Sequence, residues 1–139
     1  MPILPIVRPC FLVVDREFPG NISTRKLVIE TAKFNVITAY SSFEAVATLK
    51  AFPAVTGVVL DSGLTDMPCS QLIAQLKQVK PTLPIIAISV PGMPDGEGAD
   101  YYLETFNPTR LLALLQSMVP EAAKAIEGQE EALNGGSPE

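Results

Sequence analysis

Two aspartates and a serine stand at the close of short apolar runs: Asp15 after FLVV, Asp61 after GVVL and Ser89 in IIAISV. Two carboxylates and a hydroxyl from three separate segments can hold a divalent cation or a phosphoryl group, provided that the fold gathers them at one place. Asp15 is followed at once by Arg16 and Glu17, and a guanidinium neither deprotonates nor ligates a cation. The chain has no histidine, which removes imidazole acid–base catalysis, imidazole metal ligation and phosphohistidine chemistry. Cys10 and Cys69 form neither a CxxC pair nor a disulfide framework, so they read as small apolar residues in a reduced compartment.

These residues need a scaffold that brings strand ends together. Four segments read as strands: FLVV (11–14), NVITAY (35–40), TGVVL (56–60) and PIIAISV (84–90), with DYYL (100–103) as a weaker fifth. The first, third and fourth are apolar throughout rather than alternating, the pattern of strands covered on both faces in a parallel sheet. Helical segments lie between them. Asn21 or Ser23 can cap one carrying Val28 and Ala32; Ser41 or Ser42 precedes Phe43, Val46 and Leu49; Ser70 precedes Leu72, Ile73, Leu76 and Val79. Asn107 and Pro108 supply a cap and a first-turn proline for Leu111, Leu114, Leu115 and Met118.

Strand and helix alternate except at PGMPDGEG (91–98), which cannot sustain a helix. The order predicts an α/β, flavodoxin-like, doubly wound parallel sheet of five strands in order 2-1-3-4-5. Helices cover both faces, the helix between strands 4 and 5 being shortened or absent. In such a sheet ligands gather outside the carboxyl ends of the strands, where Asp15, Asp61 and Ser89 stand.

At 139 residues the chain reads as one domain: an extension over 1–10, the core over 11–119, and an acidic helix or tail over 120–139, partly disordered. The tail extends the last helix or begins a new one at Pro120. Net charge is −5 with no cluster of Lys and Arg, so the electrostatic footprint of nucleic-acid binding is missing. No apolar stretch is long enough to cross a bilayer, and MPILPIVRPC makes a poor signal peptide, so a cytoplasmic protein is expected.

The ordered series FLVVD, AYSSFEAVATL, GVVLDSGLTDMP, LPIIAIS, GADYYL and FNPTRLLALL resembles the receiver domain of two-component response regulators over about residues 11–119. The resemblance implies that Asp61 holds the phosphoacceptor position and that Asp15 and Asp61 belong to a Mg²⁺ pocket. It also implies that Ser89 contacts the phosphoryl group and that Tyr102 couples to it as a switch. Attack of a carboxylate on an anionic phosphoryl group needs charge compensation, which the family obtains from Mg²⁺ and a lysine.

The departures concern that compensation. Arg16 stands where the family has a second aspartate, and Glu104 or Thr105 where it has the lysine. A pocket of Asp15, Asp61 and Arg16 is already near a charge of about −1 without metal. Arg16 is therefore expected to fill the space of the ion and pair with Asp61 or Asp15. Thr65 replaces a common proline, and Cys69 a common glycine.

The leading expectation is a non-enzymatic, atypical receiver-like module of a phosphorelay with an impaired pocket, acting through protein contact. No cofactor beyond weakly bound Mg²⁺ is expected. The partner would be a histidine kinase or a downstream signalling protein, and exposed apolar positions on the last helix could support a homodimer. Two alternatives stay open: a conventional receiver phosphorylated on Asp61, and a small flavodoxin-like nucleotide or flavin binder. DREFPGN, however, supplies no phosphate-binding motif.

Overall fold

Five short strands carry the architecture, the three central ones apolar and buried on both faces and the two outer ones partly exposed. The computed structural model describes residues 8–15, 24–63, 66–89, 98–104 and 107–135. The elements are β1 (Cys10–Val14), α1 (Thr24–Thr31), β2 (Asn35–Ala39), α2 (Ser42–Ala51), β3 (Gly57–Asp61) and α3 (Cys69–Val79). They continue with β4 (Ile85–Ile88), β5 (Tyr101–Leu103), α4 (Pro108–Met118) and α5 (Pro120–Gly135). All pairings are parallel, in the order β2-β1-β3-β4-β5. The expected doubly wound topology is the one observed.

Strand parity splits the core into two layers. Leu12, Val14, Val58, Leu60, Ile85 and Ala87 pack with Ala45 and Leu49 of α2 and with Leu72, Ile73 and Leu76 of α3. Their neighbours Phe11, Val13, Val59, Ile86 and Ile88 pack on the other side with Val28 and Ile29 of α1 and with Leu111 and Leu115 of α4. At about 25 cal/mol per Å² of apolar surface removed from water, these two layers supply the main drive to fold. Ile126 of α5 is buried in the second layer, so the segment beginning at Pro120 is a separate helix returning to the core.

Local chemistry sets the helix ends. Ser41 accepts from the amide of Glu44, and Asn107 from that of Arg110 with Pro108 in the first turn. Asn21 and Ser23 lie outside the described residues. Helix α3 begins at Cys69, one residue before the expected Ser70, and has no side-chain cap bond. The face of α2 also differs from expectation. Ser42, Ala45 and Leu49 are its buried residues, whereas Phe43 is 69% exposed, because spacings of three and four residues, rather than a uniform three, follow one side of a 3.6-residue helix.

The end of α1 is a Schellman turn: Phe34 N–H donates to the Ile29 carbonyl (3.2 Å) and Lys33 N–H to that of Glu30 (2.9 Å). Lys33 occupies the left-handed position at φ 64°. Of the segment 91–98 only Gly98 is described, at φ 99°; the expected loss of a helix there concerns residues outside the described set.

Candidate functional site at the carboxyl edge of the sheet

Asp61 is the last residue of β3. Val14 and Leu60 are register partners, so Asp15 and Asp61, one residue further along, stand side by side at the carboxyl edge. Both follow the parity of Val13 and Val59, which turns them toward the α1 layer. Asp15 N–H donates to the Ala39 carbonyl of β2 at 2.9 Å, and Ser62 N–H to the Ile88 carbonyl of β4 at 2.9 Å. The backbone beneath the two carboxylates is thus held by the neighbouring strands.

A partner of Asp61 comes from α1. Arg25 Nη2 lies 3.1 Å from Asp61 Oδ1, with the two side chains 21% and 15% exposed. Arg25 Nη1 donates to Thr24 Oγ1 at 3.2 Å, which fixes the guanidinium from its other side. A cation therefore does face Asp61, but from the second residue of α1; Arg16, expected in that role, lies outside the described residues, as do Glu17, Thr65 and Thr105.

One signal for Arg25 was present in the sequence. Helix α1 opens with TRK and has no acidic residue in its first turn, although the amino end of a helix repels cations. A first turn with basic and no acidic residues marks a cation that calls for a carboxylate from elsewhere, without saying which.

A second carboxylate at this edge has a different occupation. Asp66 Oδ2 accepts from the amides of Ser42 (2.8 Å) and Phe43 (3.4 Å), the first two residues of α2. These amides have no partner within the helix. Burial acts to raise the Asp66 pKa, and the hydrogen bonds from Ser42 and Phe43 outweigh it, holding the carboxyl below its ordinary 3.8.

Cys69, at the start of α3, is buried. Its thiol is pushed up to about 11, first by burial and then by the negative charge of Asp61. The charge of Asp61, paired with a cation from α1, is thus also felt by a thiol of α3.

The other expected residues stand on β5 or just after β4 and β5. Ser89 follows β4, is half-buried, and donates its amide to the Leu103 carbonyl at 2.8 Å. Tyr102 is 49% exposed, and its hydroxyl accepts from the amide of Gly98 at 3.1 Å. Glu104, just after β5, is exposed.

The architecture has solved counterparts. A response-regulator receiver domain from Methanospirillum hungatei is similar at 22% identity and TM-score 0.70, over 86% of this chain and 99% of that one. One from Clostridium thermocellum is similar at 20% identity and TM-score 0.70, over 81% of this chain and 95% of that one. The chain has the receiver-domain fold. A third structure of this fold is the receiver domain of a sensor histidine kinase from Pseudomonas aeruginosa, with a magnesium ion coordinated in its active-site cleft; it is 15% identical, with TM-score 0.70, over 82% of this chain and 99% of that one. No protein-family model matches the chain, and no curated protein does.

Magnesium is the ion that the receiver fold implies, and the described residues do not fit it. Among them no three His, Cys, Asp or Glu side chains stand together as a metal site. The guanidinium at 3.1 Å from Asp61 Oδ1 adds positive charge where a dication would have to approach. Among the described residues no helix is long and apolar enough to cross a membrane.

Proposed function

We propose that this chain is a cytoplasmic, non-enzymatic receiver-like signalling module, with Asp61 at the phosphoacceptor position of an impaired pocket, that works by binding a protein partner of a phosphorelay. The observation that carries this reading is the Arg25–Asp61 contact at the end of β3 in a receiver fold. A carboxylate nucleophile needs an accessible oxygen lone pair and a compensated phosphoryl group. Here one oxygen of Asp61 faces a guanidinium, and the region of the family's lysine holds Glu104 instead. In this reading Asp15 and Asp61 are the remnant of a metal pocket, and Ser89 and Tyr102 are phosphoryl-contact and switch positions.

The test is incubation of the full chain with Mg²⁺ and a small acyl phosphate, followed by intact-mass spectrometry, with Asp61→Asn as control. The expected result is no stable phosphoryl adduct. An adduct that disappears in Asp61→Asn overturns the impaired-pocket reading in favour of a conventional receiver. A purified protein carrying a nucleotide or a flavin would instead return the flavodoxin-like binder.

A further inference from the structure

We propose that Arg25 is a resident counter-cation of Asp61: it joins α1 to β3 and keeps divalent cations off the carboxylate. The inference rests on the impaired-pocket reading and supplies its cause.

Three observations converge on it. The guanidinium is positioned from both sides, by Asp61 Oδ1 at 3.1 Å and by Thr24 Oγ1 at 3.2 Å. Both charged side chains are mostly withdrawn from water, which strengthens their attraction relative to a surface pair and makes an unpaired member costly. Arg25 also sits in the first turn of a helix that has no acidic residue there, a placement that the helix dipole penalises. Its favourable electrostatic environment comes from the sheet rather than from its own helix.

The consequence is competition. An Mg²⁺ ion reaching Asp61 would either displace the guanidinium or share the carboxylate with it, placing a dication beside a monocation. The Arg25–Asp61 contact is therefore what any competitor has to break. What opens it is a competitor for one of the partners: a metal for Asp61, or an anionic group for Arg25.

The test compares Mg²⁺ affinity of the folded full-length wild type, Arg25→Gln, Arg25→Lys, Asp61→Asn and the Arg25→Gln/Asp61→Asn double variant, by calorimetric titration with circular dichroism as the folding control. Arg25→Gln is expected to bind Mg²⁺ about tenfold or more tightly than wild type. The double variant is expected to lose that gain, which ties it to Asp61 rather than to a general loosening of α1. Arg25→Lys keeps the charge and is expected to stay near wild type, so the proposal remains testable should the glutamine variant be poorly folded: an Arg25→Lys protein binding as tightly as a metal-competent receiver would overturn it.

Unchanged affinity in folded Arg25→Gln, or a gain surviving Asp61→Asn, also overturns the counter-cation role. Either result leaves the impaired-pocket reading standing if wild type still takes no phosphoryl group. Phosphorylation of wild type on Asp61 removes that reading whatever Arg25 does.

Discussion

At the amino edge of the sheet, Lys80 donates to the carbonyls of Pro53 (3.0 Å) and Val55 (2.8 Å), and Arg8 to that of Lys33 (3.2 Å). At the carboxyl edge, Arg25 faces a carboxylate and Asp66 takes amides from another element. The amino edge sets Lys80 and Arg8 on backbone carbonyls, which loops and helix ends leave exposed, and pairs Lys77 with Asp100 at 2.7 Å, the carboxylate also accepting from the amide of Ile85 that opens β4. The carboxyl edge sets Arg25 against Asp61, with both side chains further withdrawn (21% and 15% exposed) than Lys77 and Asp100 (27% and 40%). The first arrangement ties loops and helix ends together; the second holds a withdrawn charge pair that an ion or a partner can contest.

The largest effect expected from breaking this comparison lies at the amino edge. A Cβ on Gly57 would meet Met118 Cε at 3.0 Å and the Phe11 ring at 3.1 and 3.2 Å. The methionine end can move; the Phe11 ring, fully buried with its centroid 5.6 Å from that of Phe34, has little room. Gly57→Ala is expected to cost about 1–3 kcal/mol, read as a lower urea midpoint with an unchanged slope. An unperturbed midpoint would mean that this edge is loosely packed and the contrast overstated.

The carboxyl edge has its own structural member in Asp66. Removing the carboxylate leaves two first-turn amides of α2 without it, so Asp66→Ala is expected to lose about 1 kcal/mol. The sign of its pH dependence follows from the lowered folded pKa. The contribution is complete above the ordinary value of 3.8 and fades as pH falls through the lower folded value. The stability gap between wild type and Asp66→Asn should therefore be flat through neutral and mildly acidic pH and close only below about pH 4. A gap that closes near neutrality would count against the clamp.

The sequence declared the fold more fully than the site, and the reason is physical. Continuous apolar runs, Asn107–Pro108 at the start of α4 and the spacing of Leu72, Ile73 and Leu76 are local signals, each readable within a few residues. Asp61 was legible for the same reason, as a polar residue ending an apolar strand. Its partner was not, because Arg25 and Asp61 lie far apart in the chain and meet only when α1 packs beside β3. Arg16 carried the local signal for a pocket cation, being adjacent to Asp15; its position lies outside the described residues. Asp66 carried no local signal, since the donors to its carboxylate are amides of a helix that comes earlier in the chain.

A smaller effect at the amino edge comes from Lys33, which holds a left-handed conformation at φ 64° where glycine has no steric cost. Lys33→Gly is expected to stabilise the protein by about 0.5 kcal/mol, the relief of backbone strain slightly exceeding the added entropy of the unfolded chain. Its side chain is exposed, so little packing is lost. A measurable destabilisation would show that this lysine does more than close the Schellman turn.

The smallest expected effect separates the two edges within a single sample. Cys10, which begins β1, has its thiol pKa raised by burial alone, whereas that of Cys69 is raised by burial and by Asp61. Asp61→Asn removes only the second cause, so the Cys69 pKa should fall toward its ordinary range while that of Cys10 stays where it is. Because burial is the larger cause at Cys69, its alkylation rate near pH 9 is expected to rise only about two- to threefold. Peptide-resolved mass spectrometry after timed alkylation reads both thiols at once. A parallel acceleration of Cys10 would mean that the substitution loosens the whole sheet; acceleration of Cys69 alone would mean that the charge of Asp61 acts across the carboxyl edge and not at the opposite end of the strands.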